Sequence, residues 1–289
     1  MAGMALRSLL FVPGHRARFY EKLGEFRPDA VILDIEDAVP PAEKPVARRM
    51  IRERLGGPLL DGLAVFARVN AVGTPFFRDD VRGVVAEGLD GIFLPKVETA
   101  DQLREANMIL AQSELRVGLK LGSIRLVPIL ETVRGVLRAQ ELAGAAPRVL
   151  GVTFGAEDFT LDLGVERSSD GFESRFPRAW VALAARAAGV LALDTPWTDI
   201  GDRDGLVRES REGRQLGYTG KPAIHPSQIP TINEVFAASA AELEHAQRVV
   251  QAYEAAVARG TGAINLDGKL IDVPMVERAR RVLSSDTGR

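Results

Sequence analysis

The fold class predicted from this sequence is α/β: a (β/α)8 barrel carrying a C-terminal helical and hairpin extension. Three observations predict it. Eight short apolar runs recur along the 289 residues: SLLFVP (8–13), AVILDIED (30–37), LAVFARVN (63–70), GIFLPKVE (91–98), RLVPILET (125–132), VLGVTFGAED (149–158), VLALDTP (190–196) and KPAIHP (221–226). The segments between them have helical composition, and strands alternating with helices build a parallel barrel. Charged side chains cluster at the C-terminal ends of the runs, where such barrels carry their reacting groups.

Each run is rich in Val, Ile, Leu and Phe and lacks clean two-residue alternation, as expected of strands covered on both faces. Helix starts are legible between them. Thr99-Ala-Asp-Gln102 and Ser239-Ala-Ala-Glu242 are capping boxes, the second opening a helix to about Arg259. Pro41 suits the first turn of the helix carrying Glu43, Lys44 and Arg48. The segment GVERSSDGFESRF (164–176) reads as a long polar loop on the active-site rim. The barrel is assigned to 1–228 and the extension to 229–289. In the extension, a helical stretch after Ser227 leads to the 239–259 helix. A hairpin turning at Asp267-Gly268 and a last helix over Met275 to Leu283 follow. This tail is expected to pack as a lid on the barrel mouth of its own or a neighbouring subunit.

Composition bounds the function. Hydrophobic residues make up 46% and charged residues 26%, with a formal net charge of −2, so nothing marks a nucleic-acid or anionic-membrane partner. The absence of cysteine excludes disulfides, thiol nucleophiles and Cys-ligated zinc. The apolar run in MAGMALRSLLFVPG is too short for a signal peptide and reads as the first strand. No stretch reaches the ~18 apolar residues of a membrane span, and a cytoplasmic location is expected.

Glu131 and Asp158 end the fifth and sixth runs. Neighbouring strands lie ~5 Å apart, so both carboxylates can reach one cation. Two oxygen ligands completed by water and substrate suit Mg2+, with Mn2+ as an alternative; the competing reading makes both acids caps of the following helices. Glu36 and Asp37 end the second run, one facing the metal waters and the other fixing a loop or capping a helix. Asp34 reads as facing the barrel interior or packing structurally. Arg68, at the end of an apolar strand, needs a partner. Paired to Glu36 or Asp37 it is structural; aimed at substrate it stabilises a developing oxyanion, the reading favoured here. Lys96 stands open between a site role and a salt bridge. The backbone N–H groups of Gly155, Ala156, Glu157 and Asp158 offer a seat for a substrate carboxylate. Gly14, His15, Arg16 and Arg18 follow strand one without P-loop spacing, and either meet an anionic tail or form a solvated helix start. His225 reads as structural and His245 as a surface residue.

Seven segments, RSLLFVPGHRARF, VILDIEDAVPPAEK, ARVNA, GIFLPKVE, PILET, FGAEDF and GKPAIHPSQI, together resemble the citrate lyase β-subunit-like branch of the HpcH/HpaI aldolase family. The malyl-CoA, citramalyl-CoA and β-methylmalyl-CoA lyases belong to the same group. The resemblance runs from about Arg7 to the chain end. It implies a Mg2+-dependent barrel enzyme that cleaves or forms a C–C bond beside a thioester. A 3-hydroxyacyl thioester would yield acetyl-CoA, or a homologue, and a 2-oxo acid. It also implies that Glu131 and Asp158 hold the metal, that Arg68 contacts the oxo-acid oxygens, and that Glu36 and Asp37 lie near the metal waters. Arg16 and Lys96 match positions near the thioester carrier, either coenzyme A or an acyl carrier protein. Asp272, in GKLIDVP, matches an aspartate implicated in acid/base catalysis at a neighbouring subunit's site, within a homotrimer or hexamer. His15 and FPRAW (176–180) depart from the family pattern and leave substrate and carrier specificity open. Two other readings stand beside this one: an oxo-acid aldolase working without a thioester, and a non-catalytic subunit of a larger lyase assembly.

Overall fold

The computed structural model describes residues 6–21, 23–258 and 260–286. Eight strands form its main sheet: β1 (Ser8–Pro13), β2 (Ala30–Asp34), β3 (Ala64–Arg68), β4 (Gly91–Leu94), β5 (Arg125–Leu130), β6 (Gly151–Phe154), β7 (Leu191–Leu193) and β8 (Lys221–Ala223). Their order is β7-β6-β5-β4-β3-β2-β1-β8, with every pairing parallel. The ring closes where β7 meets β8 through a bridge between Leu193 and Gly220. There the Asp194 N–H donates to the Gly220 carbonyl at 2.8 Å and the Thr219 N–H to that of Ala192 at 2.8 Å. Closure leaves the barrel sheet no free edge among the described residues.

Alternate residues of each strand point inward. Leu9, Ala30, Ile32, Ala64, Phe66, Phe93, Val127, Ile129 and Leu193 fill the interior as one buried cluster. Phe66 and Phe93 meet edge-to-face with centroids 5.5 Å apart, the arrangement their ring quadrupoles favour. The barrel is therefore packed below its mouth, and the cleft lined by Arg68 and Glu131 lies above this layer.

The compact unit built on the barrel runs from Leu6 to Glu234, and a second begins at Val235. In the second unit, the helix Ala240–Val257 opens with the Ser239/Glu242 capping box; Arg259 lies outside the described residues. The hairpin pairs β9 (Ile264–Leu266) with β10 (Lys269–Ile271). Its turn residues Asp267 and Gly268 both take positive φ, 53° and 80°, as a two-residue turn of this kind requires. The last helix, Val273–Asp286, packs on its predecessor around Ala246, Val249, Ile271, Val276 and Ala279.

Boundaries differ in places from the sequence reading. The segment 164–176, read as a long loop, turns helical at Phe172, where the helix Phe172–Ala188 begins. The sixth run ends as a strand at Phe154, and the helix Ala156–Leu163 begins at once. Asp158 thus stands in a first helical turn and not on a strand, where acidic side chains favour the positive end of the helix dipole. The Pro41 segment is a short 3-10 turn, Pro41–Glu43, running into the helix Lys44–Arg54.

Candidate active site

The inward alternation that fills the barrel also builds its mouth. One step of two residues above Ile32, Phe66, Ile129, Thr153 and Leu193 come Asp34, Arg68, Glu131, Gly155 and Thr195. All five line one cleft of about 310 Å3, with Phe11, Phe154, Pro196, Pro222 and Ile224 supplying apolar wall. Asp158 and Glu157 reach it from the first turn of the helix Ala156–Leu163.

Arg68 is the central cation. Its Nε and Nη2 donate to Asp34 Oδ1 and Oδ2 at 2.7 and 2.8 Å, a bidentate pair, and Nη1 lies 3.0 Å from Glu36 Oε2. Its guanidinium lies 4.9 Å from the centre of the Phe11 ring. Burial alone would lower the pKa of Arg68, but Asp34 and Glu36 outweigh it and raise the value further. Burial likewise opposes ionisation of Asp34, yet Arg68 and the backbone N–H groups of Glu36 and Ala38 hold its carboxyl below its ordinary value. Sequence reasoning offered Glu36 or Asp37 as partners of Arg68 and missed Asp34. The missing information was register, since Asp34 and Arg68 are direct Cα partners on β2 and β3.

Lys96 is drawn into the same cluster. Its backbone has φ 55°, a left-handed conformation rare outside glycine. In that conformation its N–H donates to Glu131 Oε1 at 2.8 Å while its Nζ donates to Glu36 Oε1 at 2.8 Å. The Nζ also lies 3.8 Å from Asp158 and 3.9 Å from Asp37. The salt bridge weighed for Lys96 is therefore present, and it lies within the acidic cluster. Asp37 itself is 61% exposed and caps no helix; the carboxylate that accepts the N–H groups of this turn is Asp34.

Glu131 is almost fully buried, and its pKa is pushed up to about 8 by burial first, then by the nearby charges of Asp158 and Glu36. Gly155 gives it room. A Cβ at that position would come within 2.6 Å of Glu131 Cβ and 2.7 Å of Oε2. Five carboxylates (Asp34, Glu36, Asp37, Glu131, Asp158) meet three cations, Arg68, Lys96 and Lys44, the last donating from Nζ to the Ile35 and Glu36 carbonyls, so the cluster holds more acids than cations. All-oxygen donors with unbalanced negative charge fit a hard divalent cation. Glu131 and Asp158 are the pair that could hold it, since Asp34 and Glu36 are engaged by Arg68 and Lys96. Among the described residues, no group of three or more His, Cys, Asp or Glu forms a cage, so water and substrate would complete the coordination.

Other candidates fall elsewhere. The N–H groups of Gly155 and Ala156, expected to receive a substrate carboxylate, are bonded to the Leu130 carbonyl (3.2 Å) and to Thr195 Oγ1 (3.0 Å). That leaves the N–H groups of Glu157 and Asp158 as the helix start that a substrate can use. The Glu157 side chain turns to Arg167, at 2.8 Å. Arg16 is exposed, donates to His15 Nε2 at 2.9 Å and does not line the cleft. His225 caps the short turn Pro226–Gln228 through Nδ1, as a structural histidine would. Asp272 lies between β10 and the last helix in the second unit.

Acids and a braced arginine at the C-terminal mouth of a parallel barrel stand where barrel enzymes carry their active sites. The sequence matches the family model of the HpcH/HpaI aldolases and citrate lyases over residues 7–226. The citrate lyase subunit beta of Leuconostoc mesenteroides subsp. cremoris is 38% identical over 277 residues, covering 96% of this chain and 92% of that protein. The L-malyl-CoA/beta-methylmalyl-CoA lyase of Rhodobacter capsulatus is 31% identical, covering 96% and 93%. Among solved structures, CitE from Mycobacterium tuberculosis, in complex with magnesium, acetoacetate and coenzyme A, superposes with a TM-score of 0.80. It is 33% identical, with 98% of each chain covered. The chain belongs to the HpcH/HpaI aldolase/citrate lyase family, and the protein is an enzyme of lyase type. Among the described residues, no helix is long and apolar enough to cross a membrane.

Proposed function

We propose that the protein is a Mg2+-dependent carbon–carbon lyase that splits a 3-hydroxyacyl thioester of the citryl, malyl or citramalyl type into an acetyl thioester, or a homologue, and a 2-oxo acid, reversibly. One observation carries the reading: Glu131, Asp158 and the braced Arg68 converge on a single cleft with apolar walls. Relatives named as citrate lyase subunit beta and as malyl-CoA lyase, and one solved with magnesium and coenzyme A, support the same class.

Glu131 and Asp158 would hold Mg2+, with Mn2+ as a substitute, and the cation would supply Lewis-acid polarisation of the substrate. Arg68 keeps free N–H donors after binding Asp34 and Glu36, and directs them at the oxygen that changes between hydroxyl and oxo form. In cleavage the hydroxyl proton passes to water and the C–O bond becomes a carbonyl. The C–C bond breaks with its electron pair passing to the thioester α-carbon, which then takes up a proton. The N–H groups of Glu157 and Asp158 receive the oxo-acid carboxylate. Glu36 and Asp37 order water beside the metal pair, with Lys96 bridging Glu36 and the cleft. Asp272 exchanges the α-carbon proton from a neighbouring subunit of a homotrimer or hexamer, with the tail as lid. Exclusion of water by that lid makes a carboxylate adequate for the task. Arg16 meets the thioester carrier. The site of action is the cytoplasm.

The test is a cleavage assay on citryl-, malyl- and citramalyl-CoA with Mg2+ and with chelator, run beside aldol cleavage of CoA-free 4-hydroxy-2-oxo acids. Chelator-sensitive cleavage of a thioester supports the reading. Turnover confined to the CoA-free substrates would replace it with a thioester-independent aldolase.

A further inference from the structure

Building on the lyase reading above, we infer that Asp34 is a positioning residue for the reaction: it fixes the aim of the Arg68 guanidinium and the shape of the Glu36–Ala38 turn at once. Asp34 ends β2, is 2% exposed, and receives four donors on two oxygens. Its Oδ1 accepts from Arg68 Nε at 2.7 Å and from the Glu36 N–H at 3.0 Å. Its Oδ2 accepts from Arg68 Nη2 at 2.8 Å and from the Ala38 N–H at 3.2 Å. A carboxylate has about four lone-pair sites, so Asp34 is saturated from within the protein. It has no acceptor left for a metal or a substrate and acts only through the groups it holds.

What it holds matters because of charge. Asp34, Glu36 and Arg68 together carry no net positive charge, so Arg68 influences a substrate through aimed hydrogen bonds and not as a free cation. A guanidinium offers about five N–H donors in a rigid fork. Asp34 takes one on Nε and one on Nη2, and Glu36 faces Nη1. The donors that remain are on the two terminal nitrogens, and their direction is set by the bidentate grip. The same carboxylate fixes the start of the turn from which Glu36 reaches Arg68 and Lys96. Asp34 therefore couples the arginine to the acid–lysine pair, a link that a purely structural helix or turn cap would lack.

The test is a double-mutant cycle on the full-length protein with Asp34→Asn, Arg68→Met and the pair combined. It reads kcat and KM for thioester cleavage, calorimetric affinity for pyruvate and glyoxylate with Mg2+ present, and thermal melting. Asp34→Asn is expected to lower kcat about 100-fold alone, but less than about threefold in the Arg68→Met background. It should also weaken oxo-acid binding to the level of Arg68→Met. Losses that multiply in the double variant would overturn the proposal. If Asp34→Asn does not fold, Asp34→Glu keeps the charge but lengthens the arm; a drop in kcat of about tenfold or more in a folded protein is expected, and a wild-type kcat overturns the idea. A wild-type protein that cleaves no thioester removes the lyase reading, while the oxo-acid binding arm still reports whether Asp34 and Arg68 act as one unit.

Discussion

Gly155→Ala isolates the packing that seats Glu131. The backbone at Gly155 (φ −106°, ψ 95°) is open to alanine, so conformational strain contributes nothing. The added methyl is the whole perturbation, and it would lie 2.6 Å from Glu131 Cβ and 2.7 Å from Oε2, with Ile129 Cγ2 at 3.3 Å. The first of these atoms is tied directly to the β5 end and cannot swing aside, so Glu131 or the Gly155 turn must shift. Overpacking of this kind costs about 1–3 kcal/mol. Because the atoms displaced belong to a proposed metal ligand, much of that cost should appear in cation binding. At ~1.4 kcal/mol per decade, Mg2+ affinity falls about 10- to 100-fold. Isothermal titration of Mg2+ and a thermal melt of the same preparation measure both parts. Gly144→Ala is the control, since its methyl meets only the Gln140 carbonyl, at 3.9 Å; it should leave both readings unchanged. Wild-type Mg2+ affinity and melting in Gly155→Ala would refute the claim that this glycine positions Glu131.

Further expectations follow from the same geometry. Arg68→Lys keeps the charge but loses the fork that grips Asp34, so kcat/KM should fall about 100-fold; near-normal turnover would show that charge alone suffices. Asp272→Asn should lower turnover about 100-fold with Mg2+ affinity unchanged, and normal turnover removes Asp272 from the mechanism. Lys221 is fully buried, its Nζ 3.2 Å from Asp194 and 2.6 Å from Glu209. Lys221→Met should cost about 1–3 kcal/mol, because each carboxylate loses one charged donor while Arg178 still holds Asp194 and Arg167 still holds Glu209, and a melt shows whether it does. The acid limb follows from Asp194. Burial opposes its ionisation, but Lys221 and Arg178 hold its carboxyl below the ordinary range. The unfolded chain then binds the proton more readily. The stability Asp194 supplies is complete above about pH 4 and disappears as pH falls through its folded value. Acid unfolding should move to higher pH in Lys221→Met, and an unmoved limb contradicts the assignment.

The fold was legible because burial on both faces leaves a plain mark, apolar runs spaced by helix-length segments. The capping boxes at Thr99 and Ser239 and the Asp267-Gly268 turn were legible because each works through contacts a few residues apart. The site was legible as an inventory and not as a wiring diagram. Which acid Arg68 grips depends on strand register, and Asp34 differs from Glu36 in that respect by a shift that one-strand patterns do not encode. The end of β6 was misplaced because VTFGAEDF suits a strand until the Phe159 N–H bonds back to the Gly155 carbonyl and starts a helix. Thr195, which takes the Ala156 N–H, lies just past the end of β7, about 40 residues further on, and leaves no local signal. Lys96 reads from sequence as either a site group or a salt-bridge partner; its left-handed backbone, which the sequence does not signal, turns both its N–H and its ammonium into the acidic cluster.

The central claim is that Glu131 and Asp158 jointly hold the divalent cation on which lyase activity depends. Calorimetric Mg2+ binding by wild type, Glu131→Gln and Asp158→Asn, each checked for an intact melt, tests it most directly. Saturable binding by wild type and its loss in both variants, together with thioester cleavage, is the predicted result. A folded variant of either kind that binds Mg2+ as wild type does would contradict the account.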